Sequence, residues 1–323
     1  MSHNQFNRDS RIELAILLKS GRKKKECAEI LGIERSNVSK EIIRNRDPDG
    51  VYRGASAHRR YLNRRTESKK KYRKIENDLK LQKHVIGRIK KFWSPEQIAG
   101  RLRKKGLVIC HETIYQFIYK KKPELTQFLR HQKNKYRKKR GSHARISFNR
   151  ASKIRLIDER PKEVERRERI GDWEDDTVIG KERNQRIWTC VERKSGLGMA
   201  EKLNFVFADL LFQKVEAKFK SLPKRKRLTL TRDNGPEFGD FDRSLERNTG
   251  MKIYRAHPYH SWERGSNENW NGLLRQFFPK GSPFATITQI EVERAVKLLN
   301  DRPRKRLGYA TPREVFRDGG DSG

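Results

Sequence analysis

Three acids in the second half of the chain stand where metal-assisted chemistry on a phosphodiester would need them. Glu268 lies within SWERGSNENWNGLLRQFFPK, residues 261–280. At 100° per residue, Trp270, Leu273, Leu274, Phe277 and Phe278 fall on one side of a helix, and Arg264, Glu268, Asn271, Gly272 and Arg275 on the other. A solvated helix face usually carries regular i,i+4 salt bridges; this one sets Asn, Gly and Ser around a single acid. Asp233, in LTLTRDNGPEF, follows a short alternating run and precedes Asn-Gly, which places it at the C-terminal end of a strand, at a turn. A third acid lies in DWEDDTVIG. There Asp175 and Asp176 are adjacent, and successive strand residues point to opposite faces, so alternation alone does not choose between them. Between Asp233 and Glu268 lie 34 residues, room for one helix, one strand and a loop. Acids converging from two strands and a helix can hold two Mg²⁺ ions roughly 3.5–4 Å apart, which activate a water or a 3′-OH and stabilise the departing oxygen. Magnesium suits the task because it binds through few carboxylates and takes substrate phosphate oxygens as further ligands.

The elements that must position these acids are legible from about residue 166 onward. Strands are expected at 171–179, 186–192 and 197–203, a helix at 208–222, a strand at 227–232, a helix at 241–249, a strand at 252–256, and then the Glu268 helix. This order is α/β. A further helix at 288–301 leads into a basic stretch, Asn300-Asp-Arg-Pro-Arg-Lys. Thr311-Pro312 then opens a last short helix through Phe316. Residues 319–323 read as a disordered tail.

The first half is helical and basic. Helices are expected at 8–20, 24–31 and 35–46, with Gly21 and Gly32 as breaks. The run A-x-x-L-G-I-x-x-S-x-V-S, Ala28 to Ser39, has the form of a helix-turn-helix: a small residue where helices cross, Gly at the turn, and Val38 as anchor. Its outward residues would be Arg35, Ser36, Asn37, Ser39, Lys40 and Arg44. Asn and Arg can read base edges, and Ser and Lys commonly take phosphate. A helix at 79–91 follows a basic run at 51–78. Then Ser94, Pro95 and Gln97 form an N-cap, a first-turn proline and a capping box. His111-Glu-Thr-Ile-Tyr-Gln-Phe-Ile-Tyr starts the next helix, so 79–122 reads as a second helix-turn-helix, with Thr113, Tyr115, Gln116 and Lys120 outward and Trp93 in the core. Residues 133–145 hold seven Lys and Arg and no acid, a linker or a phosphate-tracking arm.

Charge points to a polyanion. The 323 residues carry a net charge of +37, and residues 1–150 hold 42 Lys and Arg against 14 Asp and Glu. No apolar run of about 18 residues exists to span a membrane, so nucleic acid is the better reading. Hydrophobic residues are 33% and charged residues 37%, which suits small domains and charged linkers over one large globule. Cys27, Cys110 and Cys190 are far apart and form no C-x-x-C, which argues against disulfides and structural zinc. His257 and His260 form a close pair, read as structural loop residues. The N-terminus has no apolar signal segment. A cytoplasmic, nucleoid-associated protein is expected.

GDWEDDTVIG (171–180), TRDNGPEF (231–238), HPYHSWERGSNENWNGLLRQFFPKG (257–281), NDRPRKRLGYATPREVF (300–316) and the WSPEQIAGRL…HETIY pair resemble the DDE transposases and integrases, most closely the bacterial insertion-sequence transposases of the family numbered thirty. The matches run in order, cover most of the second half and extend into the first. The resemblance selects Asp176, the acid before Thr177-Val178; relatives mostly carry a small residue where this chain has Asp175. It implies a multidomain chain, with N-terminal all-α helix-turn-helix modules and an α/β ribonuclease-H-like (integrase-type) catalytic domain. The divisions expected are 1–50, a basic linker 51–78, 79–122, a second basic linker 123–165, the catalytic domain 166–318 and the tail. Asp176, Asp233 and Glu268 would be catalytic and would hold two Mg²⁺, for which Mn²⁺ can substitute. Arg264 and Arg275 would clamp phosphates, and Asn267 would contact DNA or cap its helix. The partner implied is double-stranded DNA, both element ends and target, bound by a homodimer or higher homo-oligomer. Two other readings compete: a DNA-binding regulator with an inactive ribonuclease-H-like dimerisation domain, and a nuclease acting on RNA–DNA hybrids, which two modules suited to B-form DNA disfavour.

Overall fold

A computed structural model describes residues 6–70, 74–130, 155–182, 184–205, 207–258 and 260–319; the basic arm expected at 133–145 and the last residues of the tail lie outside them. The chain divides into two compact units, residues 1–79 and 80–323.

The first unit is helical: α1 (Arg8–Lys19), α2 (Lys24–Leu31), α3 (Arg35–Asn45), α4 (Gly54–Lys70) and the short α5 (Lys74–Asn77). Asn7 caps α1, and α2 ends on Gly32 in the left-handed region, as the break requires. Leu14, Cys27, Ala28, Ile33, Val38, Tyr52 and Ala57 form its core. The stretch expected as a basic linker is therefore largely a structural helix. Tyr52 and Ala57 are buried, and the guanidiniums of Arg60 and Arg64 donate to the carbonyls that end α3, at Arg44, Asn45 and Arg46. Cations at a helix C-terminus satisfy orphan carbonyls and oppose the negative end of the dipole.

The second unit begins with α6 (Leu79–Lys90), α7 (Pro95–Lys104) and α8 (His111–Lys121). The capping box at Ser94 is present: Gln97 N–H donates to Ser94 Oγ (3.2 Å) and Ser94 N–H to Gln97 Oε1 (2.9 Å). These helices are not a free-standing module. A Cβ on Gly100 would lie 2.3 Å from the ring of Tyr309, so the glycine permits the ring to lie flat on α7. Arg101 donates to Glu314 through both terminal nitrogens, and Phe92 meets Phe277 at 4.8 Å between ring centroids.

After the short α9 (Lys162–Arg166) come β1 (Asp172–Ile179), β2 (Arg186–Glu192), β3 (Gly198–Leu203), α10 (Ala208–Lys220), β4 (Thr229–Arg232), α11 (Asp242–Thr249), β5 (Lys252–Arg255), α12 (Gly265–Leu274), α13 (Gln289–Asn300) and α14 (Pro312–Asp318). The sheet order is β3-β2-β1-β4-β5. The first three strands pair antiparallel, and β1-β4 and β4-β5 pair parallel. This is the mixed sheet expected of a ribonuclease-H-like domain. Trp173, Trp188, Cys190 and Leu230 line one face, with Leu211, Val215 and Phe219 of α10 and Leu245 of α11. Val178, Ile187, Val191 and Ala200 line the other, with Trp270, Leu273 and Leu274 of α12 and Leu299 of α13.

The Glu268 helix is shorter than expected. Residues 261–264 form a 3₁₀ turn and α12 stops at Leu274, while Phe278 still reaches the core. Pro279 explains part of this, since the residue before a proline is pushed out of helical geometry. Gly198 lets α12 approach the sheet: a Cβ there would lie 2.1 Å from the Trp270 indole.

Candidate active site

Strand alternation sends the two adjacent aspartates of β1 in opposite directions, and their surroundings separate them. Asp175 pairs with Cys190 on the α10 face. It is 0% exposed, accepts from Trp188 Nε1 (3.0 Å) and from Arg232 Nη2 (2.5 Å), and belongs to a buried network in which Arg232 and Arg255 share Asp242. Asp176 faces α12. Burial pushes its carboxyl up to about 6; Arg264 opposes the rise and neighbouring Asp233 adds to it.

Asp233 follows β4 immediately, at the carboxyl end of the strand lying parallel to β1, and its Oδ1 accepts the backbone N–H of Gly235 (2.9 Å). Arg264 joins the two acids. Its Nη2 donates to Asp233 Oδ2 (3.2 Å), its Nη1 to the carbonyl of Asp175 (3.2 Å), and it lies 3.7 Å from Asp176 Oδ2. In this structure the guanidinium expected to clamp phosphate engages two carboxylates. Arg275 likewise donates to the carbonyl of Ile179 (2.8 Å).

A register of two acids against two amides docks α12 on β1. Glu174 accepts the backbone N–H of Asn267 (2.9 Å), and its carbonyl accepts from the Asn267 side chain (2.9 Å). Two residues on, Asp176 accepts from Asn271 Nδ2 (3.1 Å). Four helical residues rise about 6 Å and two strand residues about 6.6 Å, so the pairs match without distortion. Asn267 is 0% exposed, and its expected contact with DNA is corrected: it is a docking residue, sealed against the sheet. The signal was present in the sequence as acids at i and i+2 and asparagines at i and i+4.

Glu268 sits between these asparagines on the exposed side of α12. Among the described residues the ligand atoms of the three acids do not form one group within 4.8 Å of one another; Arg264 links the two aspartates. Of the expected DNA-facing residues, Arg35, Ser36, Lys40 and Arg44 on α3 and Gln116 and Lys120 on α8 are exposed; Asn37, Ser39, Thr113 and Tyr115 are half-buried.

The loop that delivers Arg264 is braced by Glu263. His257 Nδ1 and His260 Nδ1 lie 2.9 and 3.1 Å from Glu263 Oε1, and the His257 backbone N–H donates to Oε2 (2.8 Å). The hydrogen bond to Glu263 raises the pKa of His257 above its ordinary value. Burial pushes Glu263 up, but the bonds from His257 and His260 outweigh it and leave the carboxyl lowered. The raised imidazole adds stability that is complete below its unfolded pKa and lost as pH rises through the folded one. The lowered carboxyl adds stability that is complete above its unfolded pKa and lost as pH falls through the folded one. Protection of the amides at 257–264, measured relative to the base-catalysed intrinsic rate, is therefore expected to fall on the alkaline side of the His257 transition, and His257→Gln to flatten that response. Unchanged protection across the transition would remove the brace.

No protein-family model matches the chain. It is similar to the transposase for insertion sequence element IS4351 of Bacteroides fragilis, 38% identical over 318 residues, 96% of this chain and 94% of that one. The transposase InsI for insertion sequence element IS30A of Escherichia coli is 35% identical over 302 residues, 88% of this chain and 76% of that one. The transposase for IS1086 of Cupriavidus metallidurans is 30% identical over 97% of this chain and 94% of that one. Among solved structures, the catalytic core domain of BIV integrase aligns at a TM-score of 0.37 and 22% identity, covering 46% of this chain and 93% of that one. Sequence identity sustained over nearly the whole length places the relationship beyond a shared motif: the chain belongs to the IS30 family of insertion-sequence transposases.

Proposed function

We propose that this transposase binds the terminal inverted repeats of its own element, cleaves the DNA ends by metal-assisted hydrolysis and joins the freed 3′-OH to target DNA. The observation that carries this is the meeting of Asp176 and Asp233 from neighbouring parallel strands, with Arg264 as the cation between them. Two close carboxylates, one of them with a raised pKa, form an oxygen donor set short of positive charge, which fits a hard divalent cation such as Mg²⁺, with Mn²⁺ as substitute. Asp176 and Asp233 would hold it, and Glu268 would complete the set for two ions. When bound, such ions activate a water or a 3′-OH and stabilise the leaving oxygen. Asn271 orients the Asp176 carboxylate, Glu174 fixes the helix that bears Glu268, and the phosphodiester passes through no covalent bond to protein.

The exposed residues of α3, led by Arg35, Lys40 and Arg44, support reading of the major groove by the first helix-turn-helix. Gln116 and Lys120 support a second contact from α8. Pairing two ends calls for a homodimer or higher oligomer on DNA.

The test is strand cleavage and joining on a labelled duplex carrying the terminal repeat, with Mg²⁺, for wild type beside Asp233→Asn. Losing several kcal/mol of transition-state stabilisation corresponds to a fall of roughly a thousandfold or more with binding retained. Tight binding with no product from wild type, at several divalent ions and with two ends supplied, would favour the regulator.

A further inference from the structure

The loop after α13 gathers positive charge with little to balance it. Arg302 is 3% exposed; its Nη1 donates to Gln276 Oε1 (3.1 Å), and its Nε and Nη2 have no hydrogen-bond partner among the described residues. Burial and the nearby Arg304 and Arg130 pull its pKa down to about 9. Burial, Arg306 and Arg130 pull Arg304 down to about 10. Arg306 is lowered too, by burial and by Arg167, with Glu192 opposing. Glu192 has little capacity left to neutralise it: its carboxylate already accepts the backbone N–H groups of Gly171, Lys194 and Ser195 and the Ser195 hydroxyl.

Arg304 and Arg306, with Arg167, border a cavity of about 250 Å³ whose lining also includes Ser266, Asn269 and Trp270. Ser266 and Asn269 belong to the first turns of α12, whose N-terminal end is the positive end of its dipole. Arg167 Nη2 donates to Ser266 Oγ (3.1 Å), so one wall is tied to that turn. Glu268 is the residue before Asn269. A pocket that crowds guanidiniums together, against their own repulsion, beside a catalytic acid is built for an anion that arrives from outside.

We propose that this pocket binds one backbone phosphate of the DNA strand held at the acidic site, with Arg304 and Arg306 as its ligands and Arg302 and Arg167 behind them. The proposal rests on the transposase reading. A phosphodiester is favoured over a protein carboxylate because guanidinium forks match phosphate oxygens and the chain carries a net charge of +37. A phosphate fixed here would set the register of the strand against Asp176 and Asp233, which makes Arg304 and Arg306 positioning residues.

The test uses the full chain and the double variant Arg304→Gln/Arg306→Gln. Its unfolding midpoint should rise, because like charges are relieved, and inorganic phosphate should raise the wild-type midpoint more than the variant's. Against the terminal-repeat duplex, the slope of log K on log salt should flatten by about 0.9, one phosphate's worth. Neutral methylphosphonates placed singly along the duplex should weaken wild-type binding at a position that no longer matters to the variant. Should the double variant fail to fold, Arg306→Gln alone carries the same slope and methylphosphonate measurements. An unchanged slope and an unchanged methylphosphonate profile would overturn the pocket while leaving wild-type cleavage, and the transposase reading, intact. Wild-type protein that neither binds nor cleaves the duplex would overturn both.

Discussion

Asp175→Ala is expected to cost the second unit about 3–5 kcal/mol of stability, because it strands a buried guanidinium. Asp176→Asn, one residue along, is expected to leave the fold intact or slightly firmer and to abolish cleavage. The opposition follows from the two faces of β1. Arg232 is 3% exposed and bonded to Asp175, and the remaining acid, Asp242, is shared with Arg255. For a domain of this size the loss corresponds to a fall in unfolding midpoint on the order of 10 °C. Asp176 behaves in the other sense. Its folded pKa is raised, so at neutral pH its ionised form costs stability, and removing the charge returns some of it. Thermal unfolding of the two variants in metal-free buffer decides the matter. A drop of less than about 1 kcal/mol for Asp175→Ala would show that the Arg232 pair does not hold the sheet to α11. Replacing both partners, Asp175→Leu with Arg232→Met, should recover much of the loss, since no charge is then left unpaired.

The adjacent aspartates also mark how far the sequence carries. Period-two alternation places β1 and says the two acids diverge, but which of them meets Asp233 depends on which face α12 covers, and that is a tertiary fact. The strands and helices of the second unit follow closely from local signals, because hydrophobic period and turn residues agree there. The Glu268 helix ends sooner than its apolar stripe suggests, because the stripe continues beyond it: Phe278 packs in the core from a non-helical turn. Asn267, expected to contact DNA or cap its helix, instead meets Glu174 and Thr189, which lie 93 and 78 residues away in the chain. The same limit applies to α4: its basic run reads as a linker, and nothing local reveals that the carbonyls ending α3 meet Arg60 and Arg64.

Glu41→Ala should be the corresponding breaking point of the first unit, costing about 3–5 kcal/mol against a typical total of 5–15. Glu41 lies on α3 at 9% exposure and gathers donors from three parts of the chain. Arg11 of α1 gives it Nε at 2.7 Å and Nη2 at 3.3 Å, Asn45 gives Nδ2 at 2.7 Å, and the Tyr52 hydroxyl lies 3.2 Å away. Arg11 in turn donates to the carbonyl of Phe6 and lies over the Tyr61 ring at 4.3 Å. One carboxylate therefore joins α1, α3 and the approach to α4. Its removal leaves Arg11 charged and buried, so the loss exceeds that of the hydrogen bonds alone. Because α3 presents Arg35, Lys40 and Arg44, loosening its inner face should remove binding of the terminal-repeat duplex without any change to the exposed residues. Hydrogen exchange on the full chain checks this directly. Amides of 8–45 should lose protection in Glu41→Ala while those of β1 and β4 keep it, and Glu41→Gln, which retains an acceptor oxygen, should fall between. Full protection with lost binding would instead place Glu41 in the DNA contact itself, a role its burial beneath α1 argues against.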